Sequence, residues 1–465
     1  MFDRAACSLT VIALAALAGS QAAAQSGNDG AWYIQDDFEP QERVELRIHN
    51  DLDVARTNTP VIIKREDIKS LPDVHELNIT VVDPSLEGRE DPSPELFRVQ
   101  GTHEARGETN GAWIPYQLDD LDKDGVWDEL FFMTDMEPGE TKTIYLYLGF
   151  QQRGWYAHET HAGIGSYMRH TVPFWESKNI GWKLWFPTDI DVYGKRAPVL
   201  MSQRLYMENL DGYGVASKNW DFGSDIMQVD RSFGGGGIGV FDDPDNNAPS
   251  RPRFTEQAQK DHGFNAGPES DTRYAFSVIT NGPLRSMISA KTLNWDSGRG
   301  EYEVEQIFTA YAGESYATSR VQFSKFKPDY KKADLAVGIR KHVGETLSVQ
   351  EDGIVISGAP TAIRNPDDTE SLQAELNVDF IGSALVVRES DDPEYVFWPG
   401  YGENHVFRVP AGKDKAFEYL IAAGWSEGAV NQTAEEFTAY VRRVAKDFSS
   451  PVQLTSDEHE KKNKN

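Results

Sequence analysis

Short runs rich in Val, Ile, Phe and Tyr recur along this chain, bounded by Gly, Asp and Pro, and this pattern commits it to β-sheet layers. The runs fall at Val44–Ile48, Val61–Lys64, Leu77–Val82, Glu129–Met133, Thr141–Leu148, Tyr274–Ile279, Tyr302–Phe308, Ser319–Phe323, Ala384–Val387 and Ala416–Ala422. In Trp182-Lys183-Leu184-Trp185-Phe186, large apolar residues flank a lysine. Alternation of this kind gives a sheet one buried face, which a second layer must cover, hence a sandwich. One helix is predicted near the end. Thr433 and Glu436 have the spacing of a capping box, and Phe437, Tyr440, Val441, Val444 and Phe448 share one helical face. The polar, charged end from Ser456 to Asn465 reads as disordered.

Residues 1–24 read as a cleavable secretory signal, with Arg4 near the start, an apolar run from Leu9 to Ala18, and Ala22 and Ala24 before the cut. The apolar run is too short to span a bilayer, which takes about 20 residues. The expected location is therefore the periplasm or the exterior, with no membrane anchor. The only cysteine, Cys7, lies within the signal, so the mature chain would lack disulfides, thiolate catalysis and cysteine metal ligands. The net charge of −28 argues against nucleic-acid partners and anionic membranes. A local basic pocket can still take an anionic sugar, because charges are screened beyond about 8 Å at physiological salt.

The domain reading is a signal over 1–24, an N-terminal β-sandwich unit over 25–152, a larger β-sandwich over 153–450, and a disordered tail over 451–465. Asp242–Pro268, rich in Asp, Asn, Pro and Gly, reads as a long surface loop.

Three constellations stand out. In Asp120-Leu-Asp122-Lys-Asp124-Gly125-Val-Trp-Asp128-Glu129, carboxylates alternate up to a sixth-position Gly, as in the front half of a calcium loop. Phe131 replaces the usual twelfth-position Glu, so Asp128 or Glu129 would close the site. An acidic Asp-Gly turn between two strands gives the same pattern without a metal. From Tyr167 to Lys218 basic residues outnumber acids, and Trp and Tyr stand among them. That mixture suits a sugar stacked on an aromatic ring with its carboxylate or sulfate held by cations, although a basic solvent face would read alike. The third is Trp220-Asp221-Phe222-Gly223, followed by Phe233 and the run Gly234–Gly237. The run lacks the Gly-Lys-Ser/Thr ending of a phosphate loop, so close backbone approach in a β bend explains it better. His405, in a Gly-rich turn, is polar enough to line a cleft. Neither a His-Glu-x-x-His motif nor a Gly-x-Ser-x-Gly elbow occurs.

Segments 117–132, 175–183, 190–195, 280–285 and 423–426 together resemble a secreted bacterial family, catalogued as a domain of unknown function, from polysaccharide-utilisation systems. The chain departs from the family pattern at His170-Thr-Val-Pro-Phe174. The resemblance implies an ulvan-oligosaccharide dehydratase, which removes water from a non-reducing-end uronic acid and leaves a 4,5-unsaturated residue. The fold expected is mainly β: a large antiparallel sandwich of the supersandwich, galactose-mutarotase-like kind, an N-terminal sandwich and one C-terminal helix. Elimination needs cations on the carboxylate, a base for the C5 proton and an acid for the leaving hydroxyl. Lys183, Lys195 and Arg196 are the expected anion binders. His170 or Tyr193 is the base or acid. Glu176 and Asp221 orient them or bind hydroxyls, Trp182 or Trp220 stacks on the sugar, and His405 contributes to binding. The expected partner is an anionic oligosaccharide. No catalytic cofactor is expected, and calcium at Asp120, Asp122, Asp124 and Asp128 would be structural. The rival readings are a polysaccharide lyase, a glycoside hydrolase using Glu176 and Asp221, and a non-catalytic carbohydrate-binding protein.

Overall fold

The computed structural model describes residues 31–34, 38–86, 110–150, 156–167, 170–185, 189–207, 218–219, 223–227, 229, 232–245, 247–252, 271–364 and 375–462. The expected signal peptide, residues 246 and 253–268 of the Asp242–Pro268 loop, Trp220 and Asp221 lie outside the described residues. Among the described residues the chain is mainly β, with antiparallel sheets and a single long helix.

The N-terminal sandwich shows how alternation makes a core. Its five-stranded sheet runs Gln453–Lys461, Glu42–His49, Thr141–Leu148, Ile79–Asp83, Ala112–Trp113. A three-stranded sheet runs Arg56–Lys64, Glu129–Met136, Tyr116–Asp119. Val44, Leu46, Ile48, Val61, Ile63, Leu130, Phe132, Ile144 and Leu146 fill the space between them. Every second residue of each strand thus faces the same core.

The outermost strand of the larger sheet corrects the expected disordered tail. Gln453–Lys461 pairs antiparallel along the whole of Glu42–His49, from Glu42 opposite Lys461 to His49 opposite Gln453. Its charges, which read as a solvated tail, are cross-strand partners. Glu42 accepts from His459 and Lys461, and Arg43 donates to Glu460 at 2.6 Å. An edge strand tolerates such polarity on its open side. The N-terminal unit is therefore built from both ends of the described chain.

The large sandwich rests on an eight-stranded sheet ordered Arg273–Asn281, Arg285–Asp296, Gly300–Tyr311, Tyr316–Pro328, Ala416–Trp425, Glu375–Val387, Ile354–Arg364, Leu347–Glu351. One face packs on a layer of two sheets. The six-stranded one runs Lys218–Asn219, Gly223–Asp225, Asp189–Lys195, Ile180–Trp185, His170–Ser177, Thr160–Tyr167. The four-stranded one runs Gly237–Phe241, Asp334–Arg340, Asn404–Val409, Glu394–Trp398. Trp175, Trp182, Ile190, Val192, Val337 and Phe407 of that layer share one core with Ile288, Phe308, Val321, Leu385 and Ile421. The glycine run makes the expected close approach: a Cβ on Gly236, whose φ is +136°, would lie 2.4 Å from the Ile421 side chain. The opposite face of the eight-stranded sheet is covered by the helix Ala434–Ser449 through Phe437, Val441, Val444 and Phe448. Thr433 accepts from the Glu436 N–H as expected, while the Glu436 carboxylate accepts from Gln432 N rather than from the cap itself.

The two units are joined through Arg285. Its side chain is 2 % exposed and forks between Asp119 (2.6 Å) and Glu129 (2.8 Å), over the Phe131 ring. Gln117 Oε1 accepts from the backbone N–H groups of Leu284 and Arg285, and its Nε2 donates to the Arg285 carbonyl. Thr280 donates to Asp119. A side chain on Gly282 would collide with Gln117. The segments 117–132 and 280–285, read as separate signatures in the sequence, are thus two halves of one buried clamp. Arg285→Ala leaves two carboxylates without their cation and should cost about 3–5 kcal/mol in urea unfolding, and Arg285→Lys should fail to restore it because an ammonium cannot fork.

Candidate functional site

In the hairpin Ile180–Trp185/Asp189–Lys195, Trp182, Leu184, Ile190 and Val192 enter the large core, which turns Lys183, Asp191, Tyr193 and Lys195 to the other face. Lys183 stands opposite Asp191, and Tyr193 opposite Asp225. Gly181 lies between Glu176 and Tyr193 in register. A Cβ there would make ordinary contacts, 3.7 Å from Glu176 and 3.8 Å from Lys195.

Glu176 and Lys195 are buried and mutually bonded. The ammonium also donates to the carbonyls of Ser177 (2.5 Å) and Val199 (2.8 Å), which accounts for its three donors. The carboxylate accepts from Met201 N (3.1 Å), Ser202 N (2.9 Å) and the Ser202 hydroxyl, and His161 lies 3.7 Å away. Burial alone would push the Glu176 carboxyl up, but Lys195, His161 and Ser202 outweigh it and hold it down at about 2. The pair pins the start of the short helix Ser202–Met207 to the sheet. This corrects two expectations: Lys195 is filled by protein acceptors rather than turned to a substrate anion, and Glu176 is enclosed. Glu176, Gly181, Lys183, Tyr193, Lys195, Met201 and Ser202 border a cleft of about 10 Å³, room for about one water.

Beside this pair lies a less enclosed cluster. Lys183 is 2.9 Å from Asp191 and 3.4 Å from Asp225, whose side chain is one-quarter exposed. Asp191 and Asp225 share a hydrogen bond. Burial and the Asp191 charge outweigh Lys183 and push the Asp225 carboxyl up from 3.8 to about 8, so it keeps its proton at neutral pH. The Lys183 ammonium lies 5.3 Å from the centre of the Trp185 ring. Acid, cation and carboxylate thus meet on three neighbouring strands. Asp191, Asp225 and His161 were absent from the sequence-based set. Alternation held the signal for Asp191, but only the hairpin register shows which lysine it faces.

The other expected residues are dispersed. Trp182 is buried, stacked on Trp175, and is no platform for a sugar. Tyr193 is buried and donates to the Gly223 carbonyl at 3.2 Å. Arg196 pairs with Glu427. His170 begins its strand opposite Tyr167. His405, on the four-stranded sheet, is buried between Tyr395 and Glu345. The carboxylates of Asp120, Asp122 and Asp124 converge within 4.8 Å. Asp128 instead accepts from the backbone of Leu121 and Asp122, and Phe131 is buried in the core between the two units, where it supplies no oxygen.

The family described as "Domain of unknown function (DUF4861)" matches residues 102–454. No curated protein matches the sequence. Two solved structures are similar at low identity. One is an alpha-mannosidase from Enterococcus faecalis V583, at 11 % identity and TM-score 0.41, covering 91 % of this chain and 46 % of that one. The other is a protein in the glycosyl hydrolase family 38 from Enterococcus faecalis, at 10 % identity and TM-score 0.43, covering 91 % and 48 %. The chain spans under half the length of either structure.

The Glu176 carboxyl carries a pH signature. Because its folded value lies below the ordinary 4.5, its stabilisation is present above pH 4.5 and is lost as pH falls toward 2. Wild-type stability in urea should drop by about 3 kcal/mol more than that of Glu176→Gln across this window.

Proposed function

This chain belongs to the DUF4861 family, and we propose that it is an exported carbon–oxygen lyase acting on uronate-containing oligosaccharides. The favoured reaction is loss of water from the non-reducing-end uronic acid of ulvan-type fragments. One observation carries the reading: two aspartates, Asp191 at 2.9 Å and Asp225 at 3.4 Å, share the ammonium of Lys183 on the outer face of a sheet. In this reaction the C5–H and C4–O bonds break, C4=C5 forms and water leaves. Lys183 offsets charge on the uronate carboxylate as the C5 proton is lost. Asp225 protonates the departing C4 hydroxyl, with Asp191 its hydrogen-bonded partner. Asp191, 2.9 Å from Lys183, is the proposed base rather than His170, because the strand register puts His170 four residues beyond Phe174, the partner of Lys183. The resemblance of segments 175–183 and 190–195 to dehydratase-containing relatives supports the same assignment.

The test is to incubate the mature protein with ulvan oligosaccharides that end in a saturated uronic acid, and to follow mass and ultraviolet absorbance. Loss of one water with new absorbance and no cleavage is expected. Cleavage with absorbance means a polysaccharide lyase, and cleavage without it a hydrolase. Binding without product leaves a carbohydrate-binding protein. Turnover should fall as pH rises through about 8, where Asp225 loses its proton. Asp225→Asn should lower kcat by about 100-fold and abolish that limb of the profile.

The same proposal includes export through residues 1–24 and one structural calcium ion. Asp120, Asp122 and Asp124 would supply its ligands, and the positive φ of Gly125 gives the turn they need. Chelation should then lower the melting temperature, and an unmoved one would remove the ion from the proposal.

A further inference from the structure

The cluster around Lys183 has an aromatic neighbour. Trp182 and Trp185 are three residues apart on one strand, and the pleat turns them to opposite faces. Trp182 enters the large core, whereas Trp185 shares the outer face with Lys183 and is partly exposed. Its ring centre lies 5.3 Å from the Lys183 ammonium, which pairs with Asp191 at 2.9 Å and Asp225 at 3.4 Å. Across the hairpin Trp185 stands opposite Asp189, whose carboxylate is held by Arg251 at 3.0 Å.

This face opens from one end to the other. At the Lys195 end the pair with Glu176 is sealed, and the cleft there has room for about one water. Lys183, in the middle, has only 6 % of its side chain exposed. The side chain of Asp225 is one-quarter exposed, and Trp185 closes the strand at the open end. Among the described residues, Asp225 and Trp185 are therefore the members of this group that meet solvent, so a ligand reaches the ammonium from their side.

An indole next to an ammonium makes two demands at once. The indole takes the apolar C–H face of a sugar ring, and the ammonium takes an anion close to that face. A uronic acid meets both, because its carboxylate is bonded directly to the ring. A sulfate ester puts its charge one oxygen further out, and a neutral hexose offers Lys183 no charge. We propose that Trp185 is a specificity-determining residue of the Lys183–Asp191–Asp225 cluster: it seats the ring of the terminal uronic acid and so brings the carboxylate to Lys183. This role rests on the function proposed above, and it gives Trp185 the stacking that Trp182, buried in the core, does not supply.

Calorimetric titration in an Asp225→Asn background, which slows turnover, tests the role with two ligands. One is an ulvan disaccharide ending in a saturated uronic acid, and the other is the same disaccharide with that carboxyl reduced to an alcohol. Trp185→Ala should weaken both by about tenfold, because they share the stacked face. Lys183→Gln should weaken the acid and leave the reduced ligand within about twofold. Trp185→Phe keeps a ring and should hold the acid within about threefold of the parent. With Asp225 intact, Trp185→Ala should raise KM for the acid by about tenfold. Unchanged affinity for the acid in Trp185→Ala, an equal loss in Trp185→Phe, or no binding of the acid by the parent overturns the platform, and water loss catalysed by the wild type would then leave the dehydratase standing. Weakened binding in Trp185→Ala alone, with no product from the wild type, keeps the platform and sinks the dehydratase reading.

Discussion

A single guanidinium, that of Arg285, sets how the N-terminal sandwich meets the large one. It lies on the second strand of the eight-stranded sheet and forks into carboxylates from two strands of the small sandwich. Such a pair contributes little net energy over an apolar substitute, but it accepts only one geometry. The clamp therefore fixes orientation more than it adds affinity. Phe131 extends it into packing, meeting Tyr311 at 6.0 Å beneath the same strands. Position, not adhesion, is what these residues supply.

A similar division runs through the outer face of the six-stranded sheet. Glu176 and Lys195 are surrounded by partners and hold the chain at 199–202 against the strands. Lys183 shares its charge between two aspartates that compete for one proton. A saturated pair resists change, whereas a carboxyl poised near neutral pH can give its proton to something else. The enclosed pair is the frame, and the neighbouring cluster has the chemistry to act.

Much of this was legible in the sequence because it is local. Strand alternation, the Thr433 cap and the crowding around Gly234–Gly237 need only neighbouring residues to be read. The charged terminal strand was misread because its partners are some 400 residues away. The basic, aromatic character of the segment from Tyr167 to Lys218 is legible in the sequence, but its spatial arrangement is not. Trp182 and Lys183 are adjacent, and only the direction of the pleat decides that one is core and the other faces out. Lys183 and Lys195 look equivalent in sequence, and cross-strand register gives one three protein acceptors and the other an aspartate dyad. Asp225 could not be singled out, since its proton is held by groups from separate strands.

The closing strand has a consequence for how the molecule reaches its folded state. Glu42–His49 is made about 400 residues before Gln453–Lys461, the strand that satisfies one of its two edges. Through most of the chain's production that edge offers unpaired N–H and C=O groups to any passing strand. Completion of this sandwich waits on a pairing between strands far apart in the chain. Loss of Gln453–Lys461 would therefore be felt at Glu42–His49, as an open sheet edge and a route to aggregation.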